Sequence, residues 1–282
     1  MRRWLVFFNK IFVARMISIS FTSLAIWLLA ACNTTEDAAP QTERFPINVM
    51  TYNIHHANPP SREKGYIDLN TIAQTIRKTG AHLVALQELD SVTLRSGKTF
   101  QMKVLAEMLG MHYYYGKAIP YEGGGYGVGI LSKYPISEAR TITLPKVEGF
   151  QGEDRVLALV KVTLPDDKEI YFGSTHLDVT MEENRVLQSS EIVAVAGKLN
   201  APVIVGGDFN STDDKAPMTE LLGYFKDAST LKAPTIPVIR PTRRIDYILF
   251  AKPGDFQALK EEVLTADNYG SDHLAFWVRL SY

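Results

Sequence analysis

Two apolar runs that each end in polar residues place the strongest constraint on how this chain can fold. In residues 82–90, apolar side chains occupy consecutive positions until Gln87 and Glu88, and Pro202–Val205 leads through two glycines to Asp208. Successive side chains of a strand point to opposite faces, so a strand that is apolar at consecutive positions needs a covering layer on each side. The two runs therefore predict buried strands that end in polar groups.

Asp208 and Asn210 lie two positions apart, directly after the second run. Side chains at positions i and i+2 of an extended segment point the same way, so both could face one reaction centre. Asp, Asn and Gly are also common turn residues, which makes an ordinary turn the alternative interpretation. An EF-hand loop is excluded, because Asp213 stands at its glycine position and Thr219 at its closing glutamate.

Strands outnumber helices in the remaining pattern. Apolar residues at helical spacing predict helices near residues 68–80, 97–110, 182–199 and 217–222. Further strands are predicted at 47–53, 113–115, 136–144, 155–164, 169–175, 245–250 and 274–280. Because the helices do not alternate strictly with the strands, we expect an α+β sandwich rather than a doubly wound parallel sheet.

Two glycine-containing segments fail as nucleotide-binding loops. The segment Glu122–Leu131 has no Gly-x-Gly-x-x-Gly spacing and leads into a strand rather than a helix. In the segment around Gly97-Lys98-Thr99, Val92 stands where the first glycine of a P-loop belongs. We interpret both segments as loops.

The N-terminal residues have the layout of an export signal. Four basic side chains precede an uncharged, mainly apolar stretch from Met16 to Ala31. Leu29-Ala30-Ala31-Cys32 resembles the lipobox of bacterial lipoproteins, in which cleavage precedes a cysteine that becomes acylated, and Cys32 is the only cysteine. An uncleaved membrane anchor is the alternative interpretation.

These features divide the chain into a signal peptide (1–31), a lipidated Cys32 with a polar tether (32–44), and one domain (45–282). The signal peptide carries four basic and no acidic side chains, so the mature chain is more acidic than the formal charge of -1. An acidic domain lacks the strong basic surface expected of a protein that holds long nucleic acid, although a local patch could oppose the net charge.

Polar residues cluster at the ends of the predicted strands: Asn53, Glu88, His176 with Asp178, Asp208 with Asn210, and Asp272 with His273. Asp246 adds a carboxylate inside an apolar strand, where a charge is costly unless it has a partner. Carboxylates favour Mg²⁺ or Mn²⁺, and imidazole can activate water or bind a phosphoryl oxygen. The set therefore suits metal-dependent chemistry on phosphate.

Each of these groups also has a structural interpretation. Glu88 could end a strand in solvent, and His176 could be a hydrogen-bonded core histidine. Asp246 could pair with Arg243 or Arg244 as a structural ion pair. A hydrolase of the Ser-His-Asp type is disfavoured, because the sequence has no Gly-x-Ser-x-Gly elbow.

Seven motifs, in this order, resemble those of the endonuclease/exonuclease/phosphatase superfamily over nearly all of the chain from Asn48 onward. They are Thr51-Tyr52-Asn53, Leu86-Gln87-Glu88, Gly127–Ser132, Thr175–Asp178, Gly207–Asn210, Arg244–Tyr247 and Ser271–His273. The resemblance implies a DNase I-like fold, which is a four-layer αββα sandwich. It also implies hydrolysis of a phosphoester with Mg²⁺ or Mn²⁺ as cofactor.

The resemblance further implies roles for the polar residues. Glu88 is the expected principal metal ligand, with Asn53 beside it and Asp272 nearby. Asp246 is expected to orient His273 and to raise its proton affinity. His273 would then act either as general base or as a cationic contact to the phosphate.

Asp208 is expected to position or activate the attacking water, and the sequence does not decide between Asp208 and His273 as the base. Asn210 is expected to hold the phosphate or the transition state. His176 is expected to contact the scissile phosphate or to protonate the leaving oxygen. The predicted substrate-binding residues are Asp178 and Arg155.

Segments Met50–Ala57 and Tyr121–Pro135 are similar to compact bacterial members related to the hydrolase-like domain of proteins that remodel glycosylphosphatidylinositol anchor lipids. We therefore expect a monomeric phosphodiesterase or phosphatase, held at the bacterial cell envelope through lipidated Cys32. Its expected substrate is a lipid-headgroup, inositol or sugar phosphate. The alternatives are an extracytoplasmic nuclease that cleaves DNA or RNA, and a non-enzymatic lipoprotein that uses the fold for binding.

Overall fold

The computed structural model describes residues 46–251, 256–265 and 270–282. The predicted signal peptide and tether, including Cys32, lie outside these residues. Among the residues that are described, no helix combines the length and the apolar character needed to cross a membrane.

Along the described residues there are twelve strands and four α-helices. The strands are β1 (Pro46–Asn53), β2 (Leu83–Ser91), β3 (His112–Tyr121), β4 (Gly124–Ser132), β5 (Ile136–Thr143), β6 (Val156–Thr163), β7 (Glu169–His176), β8 (Val203–Asp208), β9 (Phe225–Asp227), β10 (Asp246–Ala251), β11 (Gln257–Val263) and β12 (Phe276–Ser281). The helices are α1 (Leu69–Thr79), α2 (Gln101–Leu109), α3 (Glu182–Ala196) and α4 (Ala216–Tyr224).

The strands form two sheets of six. The first sheet has the order β11-β12-β1-β2-β4-β3, and the second has the order β5-β6-β7-β8-β10-β9. Each sheet has one parallel pair near its centre, β1 with β2 and β7 with β8, and the other pairs are antiparallel. Helix α1 connects the first parallel pair and α3 connects the second. This places Asn53 beside Gln87, and His176 beside Asp208, at the ends of the parallel strands.

Apolar side chains fill three layers of core between four layers of secondary structure. A central cluster that includes Ile130, Phe172 and Ile204 lies between the sheets. Helices α1 and α2 cover the outer face of the first sheet through side chains such as Ile72 and Leu105. Helices α3 and α4 cover the second sheet, with Ile192 and Leu221 among the buried residues. The predicted four-layer αββα sandwich is confirmed.

Glycine allows the two sheets to approach closely just before the polar end of β8. A Cβ atom at Gly206 would lie 2.8 Å from the Cβ of Ala85 and 3.3 Å from the Cβ of Thr51. Both neighbours belong to the first sheet, so any side chain at position 206 would push β8 away from it.

The interpretation of the glycine-rich segment after Glu122 as a loop is wrong. Most of it forms β4, which pairs with β2 and β3. A Cβ atom at Gly127 would lie 2.1 Å from the carbonyl oxygen of Gly116, so glycine is required by the close backbone of β3. Strand β3 is longer than predicted. Strand β11 was missed because it lies at the sheet edge, where four of its seven residues are exposed and three are charged.

Candidate active site

One amide group joins carboxylates from the two sheets. Asn53 Nδ2 donates to Glu88 Oε1 at 2.9 Å and to Asp208 Oδ2 at 3.0 Å. Asn53 ends β1, Glu88 lies in β2 of the same sheet, and Asp208 ends β8 of the other. The polar ends predicted from separate parts of the sequence therefore meet at one place.

A local irregularity of β2 directs Glu88 toward this place. The pairing of β2 with β4 shifts register between Leu86 and Leu89, and Glu88 within this bulge has φ of 58°. A non-glycine residue in the left-handed region costs on the order of 1–2 kcal/mol, and bulges commonly redirect a side chain beside an active site. The half-buried Glu88 side chain is thus placed by a strained backbone rather than by ordinary strand geometry.

Asp208 is buried and faces two imidazole rings. Its Oδ2 atom lies 3.5 Å from Nε2 of His176 and 3.7 Å from Nε2 of His273, while its Oδ1 atom accepts from the backbone N of Asn210 at 2.9 Å. Burial, and then the negative charge of Asp246, raise the pKa of Asp208 to about 7, despite the opposing effects of His273 and the hydrogen bonds. Asp208 can therefore gain or lose a proton near neutral pH.

His273 and Asp246 form a buried pair. His273 Nδ1 lies 2.9 Å from Asp246 Oδ2. Burial lowers the pKa of His273, but the charges of Asp246 and Asp208 outweigh it and raise the pKa to about 10. The ring is therefore an imidazolium at neutral pH. Arg244 pairs with Asp227 at 2.6 Å, so the structural interpretation in which Asp246 pairs with Arg244 is wrong.

His176 is neutral, in contrast to His273. Burial, followed by the positive charges of Arg155 and His273, lowers the pKa of His176 well below its usual value. Arg155 Nη1 lies 3.5 Å from His176 Nδ1, and a guanidinium only donates, so Nδ1 accepts and the hydrogen is on Nε2. That Nε2–H group faces Asp208. Arg155 also pairs with Glu153 at 3.2 Å, and its predicted contact to substrate stays a prediction.

Hydrogen bonds to backbone carbonyl groups fix the segments that carry Asp272 and Asn210. Ser271 Oγ donates to the carbonyl oxygen of Asn53 at 2.7 Å, which fixes the segment that carries Asp272 beside the end of β1. Asn210 has φ of 48°, and its Nδ2 donates to the carbonyl oxygen of Leu177 at 3.0 Å. The metal and phosphate roles predicted for these two residues remain predictions.

Asp178 has a different environment. Its Oδ1 atom accepts from the backbone N of Thr180 at 2.9 Å and of Met181 at 2.7 Å, and it also accepts from Thr180 Oγ1. These bonds hold the turn that precedes α3. The described contacts of the Asp178 carboxylate are thus internal, and its predicted substrate contact stays a prediction.

Sequence reasoning missed His55 and His56, which follow the end of β1. His55, His56 and Ala57 have φ of 46°, 42° and 59°, which is three consecutive non-glycine residues in the left-handed region. Burial, then the charges of Arg95 and His55, lower the pKa of His56 to about 4. The available signal was the His-His pair immediately after a polar strand end.

The donor atoms fit the hard divalent cation that the resemblance implies. Glu88 Oε1 lies 2.9 Å from Asn53 Nδ2, and Asn53 Oδ1 accepts from the backbone N of His55 at 3.1 Å, so a carboxylate oxygen and an amide oxygen lie together at the end of β1. Asp246 Oδ1 is buried without a hydrogen-bond partner among the described residues. Carboxylate and amide oxygens are the ligands that Mg²⁺ and Mn²⁺ prefer.

Comparisons with known proteins agree with this fold. The model of the Endonuclease/Exonuclease/phosphatase family matches residues 50–273. Protein YbhP of Escherichia coli strain K12, which is described as uncharacterized, is 28% identical over 256 residues, covering 83% of this chain and 95% of YbhP.

Solved structures that share the fold include the following two. An endonuclease/exonuclease/phosphatase from Beutenbergia cavernae has a TM-score of 0.70 at 23% identity, covering 83% of this chain and 71% of that protein. The mannosyl-6-phosphatase Bt3783 of Bacteroides thetaiotaomicron has a TM-score of 0.68 at 20% identity, covering 84% of this chain and 100% of that protein.

Proposed function

Because the chain belongs to the endonuclease/exonuclease/phosphatase family, whose members hydrolyse phosphoesters, we propose that it is a phosphoester hydrolase dependent on Mg²⁺ or Mn²⁺. The observation that carries this proposal is the Asn53 amide that joins Glu88 of one sheet to Asp208 of the other. It brings candidate metal ligands and a titrating carboxylate with its two histidines into one cluster.

Asp208 is the proposed general base. Its raised pKa lies close to neutrality, where a base combines a useful ionised fraction with useful proton affinity. His273 is already protonated at this pH, so it serves as a cation that binds a phosphoryl oxygen and not as a base. His176 presents Nε2–H and can donate to the phosphate or to the leaving oxygen.

Glu88, Asn53 and Asp272 are the residues proposed to hold the cation. When bound, a divalent cation neutralises negative charge that gathers on the phosphate during attack. The family assignment supports this part of the proposal, as does the hydrogen bond that places the Glu88 carboxylate beside Asn53.

The proposed substrate is a phosphodiester or phosphomonoester on a lipid headgroup, an inositol or a sugar. Three features support this class: the predicted signal peptide of residues 1–31 with a lipidated Cys32, the acidic charge predicted for the mature chain, and a fold shared with a protein named as a mannosyl-6-phosphatase. In this proposal the enzyme is a monomeric lipoprotein of the bacterial cell envelope. A nuclease would instead need a basic surface around the site.

A panel of phosphoesters tests the proposal on the full-length protein, with Mn²⁺ or Mg²⁺ and with chelator. The panel contains aryl phosphate esters, inositol and sugar phosphates, sphingomyelin, and DNA and RNA. We expect chelator-sensitive hydrolysis of non-nucleic substrates that is lost in Glu88→Ala and in His273→Ala but kept in Glu183→Ala, a control at an exposed position of α3.

Undiminished hydrolysis in either site variant would refute the site assignment. Cleavage confined to DNA or RNA, with strong salt dependence, would favour the nuclease alternative. If none of the substrates is hydrolysed with either cation, the result would favour the alternative of a non-enzymatic lipoprotein that uses the fold for binding.

A further inference from the structure

Three potential metal ligands lie together beside the proposed Mg²⁺ or Mn²⁺ site. His55, His56 and Glu88 each bring a ligand atom within 4.8 Å of the ligand atoms of the other two. All three residues have left-handed backbone, with φ of 46°, 42° and 58°. Each such residue costs on the order of 1–2 kcal/mol, and strain of this kind persists where the surrounding structure enforces it, often at functional sites.

The ring of His55 is fixed in the tautomer that a metal ligand needs. His55 Nδ1 lies 2.9 Å from the carbonyl oxygen of Asn58, and a carbonyl only accepts, so Nδ1 carries the hydrogen. Nε2 is therefore the ring nitrogen that can offer a lone pair to a metal. Metal-ligating histidines commonly donate their other ring nitrogen to a backbone carbonyl in this way.

His56 is held from its backbone and not from its ring. Its carbonyl oxygen accepts from Nε2 of the buried Gln101 at 2.7 Å, and Gln101 Oε1 accepts from the backbone N of Asp90 at 2.9 Å. Among the described residues, the buried Nδ1 atom of His56 has no hydrogen-bond partner. A buried ring nitrogen without a hydrogen-bond partner is unfavourable unless another group, such as a metal ion, binds to it.

We propose that His55, His56 and Glu88 form a second metal site, which takes a divalent transition-metal ion such as Zn²⁺. Two imidazoles and one carboxylate suit Zn²⁺ and similar ions, whereas Mg²⁺ prefers a shell of oxygen ligands. Glu88 is shared with the proposed Mg²⁺ or Mn²⁺ centre, so the two sites are neighbours. The inference goes beyond the proposed function, because it concerns the binding of a second metal ion. This binding can be measured without substrate or turnover.

Metal titration of the full-length protein tests the inference. After removal of metal with chelator, Zn²⁺ binding is measured by calorimetry for the wild type, His55→Gln, His56→Gln and His112→Gln. His112 is the matched control, because it is exposed and pairs with Ser132 at the opposite end of the sheet. Titration with Co²⁺ adds a second readout, since its visible absorption reports nitrogen ligands.

We expect Zn²⁺ affinity to fall at least about tenfold in each of the two site variants and to stay unchanged in His112→Gln. The Co²⁺ absorption of the wild type should weaken in parallel. Equal Zn²⁺ affinity in the wild type and both site variants would overturn the inference, as would an equal loss in His112→Gln. Circular dichroism confirms folding of each variant, and if one fails to fold, the other decides the question. Hydrolysis is not used as a readout, so failure of the proposed function would leave this result intact.

Discussion

In both sheets a parallel pair of strands, connected by one helix, ends at the candidate site. In the first sheet the pair is β1 and β2, which end near Asn53 and Glu88, and in the second it is β7 and β8, which end at His176 and Asp208. The two regions differ in backbone and burial. The first presents a half-buried carboxylate on left-handed backbone, whereas the second presents fully buried groups with displaced pKa values.

In the proposed function, this difference separates metal binding from proton transfer. A half-buried carboxylate remains accessible to a cation from solvent, so the first sheet is suited to metal binding. Buried groups interact strongly with each other's charges, so the second sheet is suited to proton transfer. In the proposed function, the same arrangement of strands therefore serves two kinds of chemistry, and the two sheets differ in how deeply they bury their polar ends.

The largest expected effect is that of Asp208→Asn, which removes the proposed base from the second sheet. We expect kcat to fall about 10²–10⁴-fold, with no recovery at high Mn²⁺. Asp167→Asn, in an exposed turn at the other end of β7, should leave kcat unchanged. Recovery of Asp208→Asn by added metal would show that the two sheets do not divide the chemistry as described.

The same substitution has an opposite effect on stability. The folded-state pKa of Asp208 is raised, so the protein is favoured with Asp208 protonated, and stability is lost as pH rises through about 7. In the metal-free protein, Asp208→Asn should therefore increase the free energy of unfolding above pH 7 and change it less below. Denaturant unfolding at pH 6 and pH 8.5 measures this difference.

The next largest effect is expected for Glu88→Gln in the first sheet. It should raise the Mn²⁺ concentration needed for half-maximal hydrolysis at least about tenfold, with part of the lost rate restored by excess metal. The metal dependence of kcat is the measurement. An equal loss at every Mn²⁺ concentration would assign Glu88 to the chemical step instead.

A smaller effect, confined to high pH, is expected for Asp246→Asn. In the wild type we expect hydrolysis to fall as His273 loses its proton near pH 10, and this limb should move to lower pH without the Asp246 charge. The raised pKa of His273 stabilises the fold fully below about pH 6.5, and this stability is lost as pH rises through about 10. The stability difference between wild type and variant should therefore shrink over that range. An unchanged alkaline limb would contradict the role of His273 as a cation.

The smallest effect is expected for Asp178→Ala. Loss of the bonds to Thr180 and Met181 should lower the free energy of unfolding by about 1–2 kcal/mol, measured by denaturant titration. If Asp178 only holds the turn before α3, KM should not change. A rise in KM with unchanged stability would restore the predicted substrate contact and extend the second sheet's part in the site.

The sequence predicted the site best where a buried strand ends in polar residues. Asn53, His176 and Asp208 could be found because apolar runs place them at the ends of strands, although they are far apart in the chain. Glu88 was found by the same pattern, although the structure places it at a bulge inside β2. Left-handed backbone at His55 and His56 could not be predicted, because no local pattern marks a non-glycine residue with positive φ. The β4 glycines were misinterpreted because the need for them comes from a neighbouring strand, as at Gly127 and Gly116.

The pairing of β1 with β12 affects when the protein can fold during its synthesis. These strands pair from Pro46 with Ser281 to Thr51 with Phe276. The first sheet therefore joins residues that lie more than two hundred positions apart in the chain. Such long-range pairing forms slowly compared with local structure. The candidate site takes Asn53 from the end of β1 and His273 from just before β12. A nascent chain therefore cannot assemble the candidate site until β12 has been synthesised, so a partly translated chain lacks the complete site.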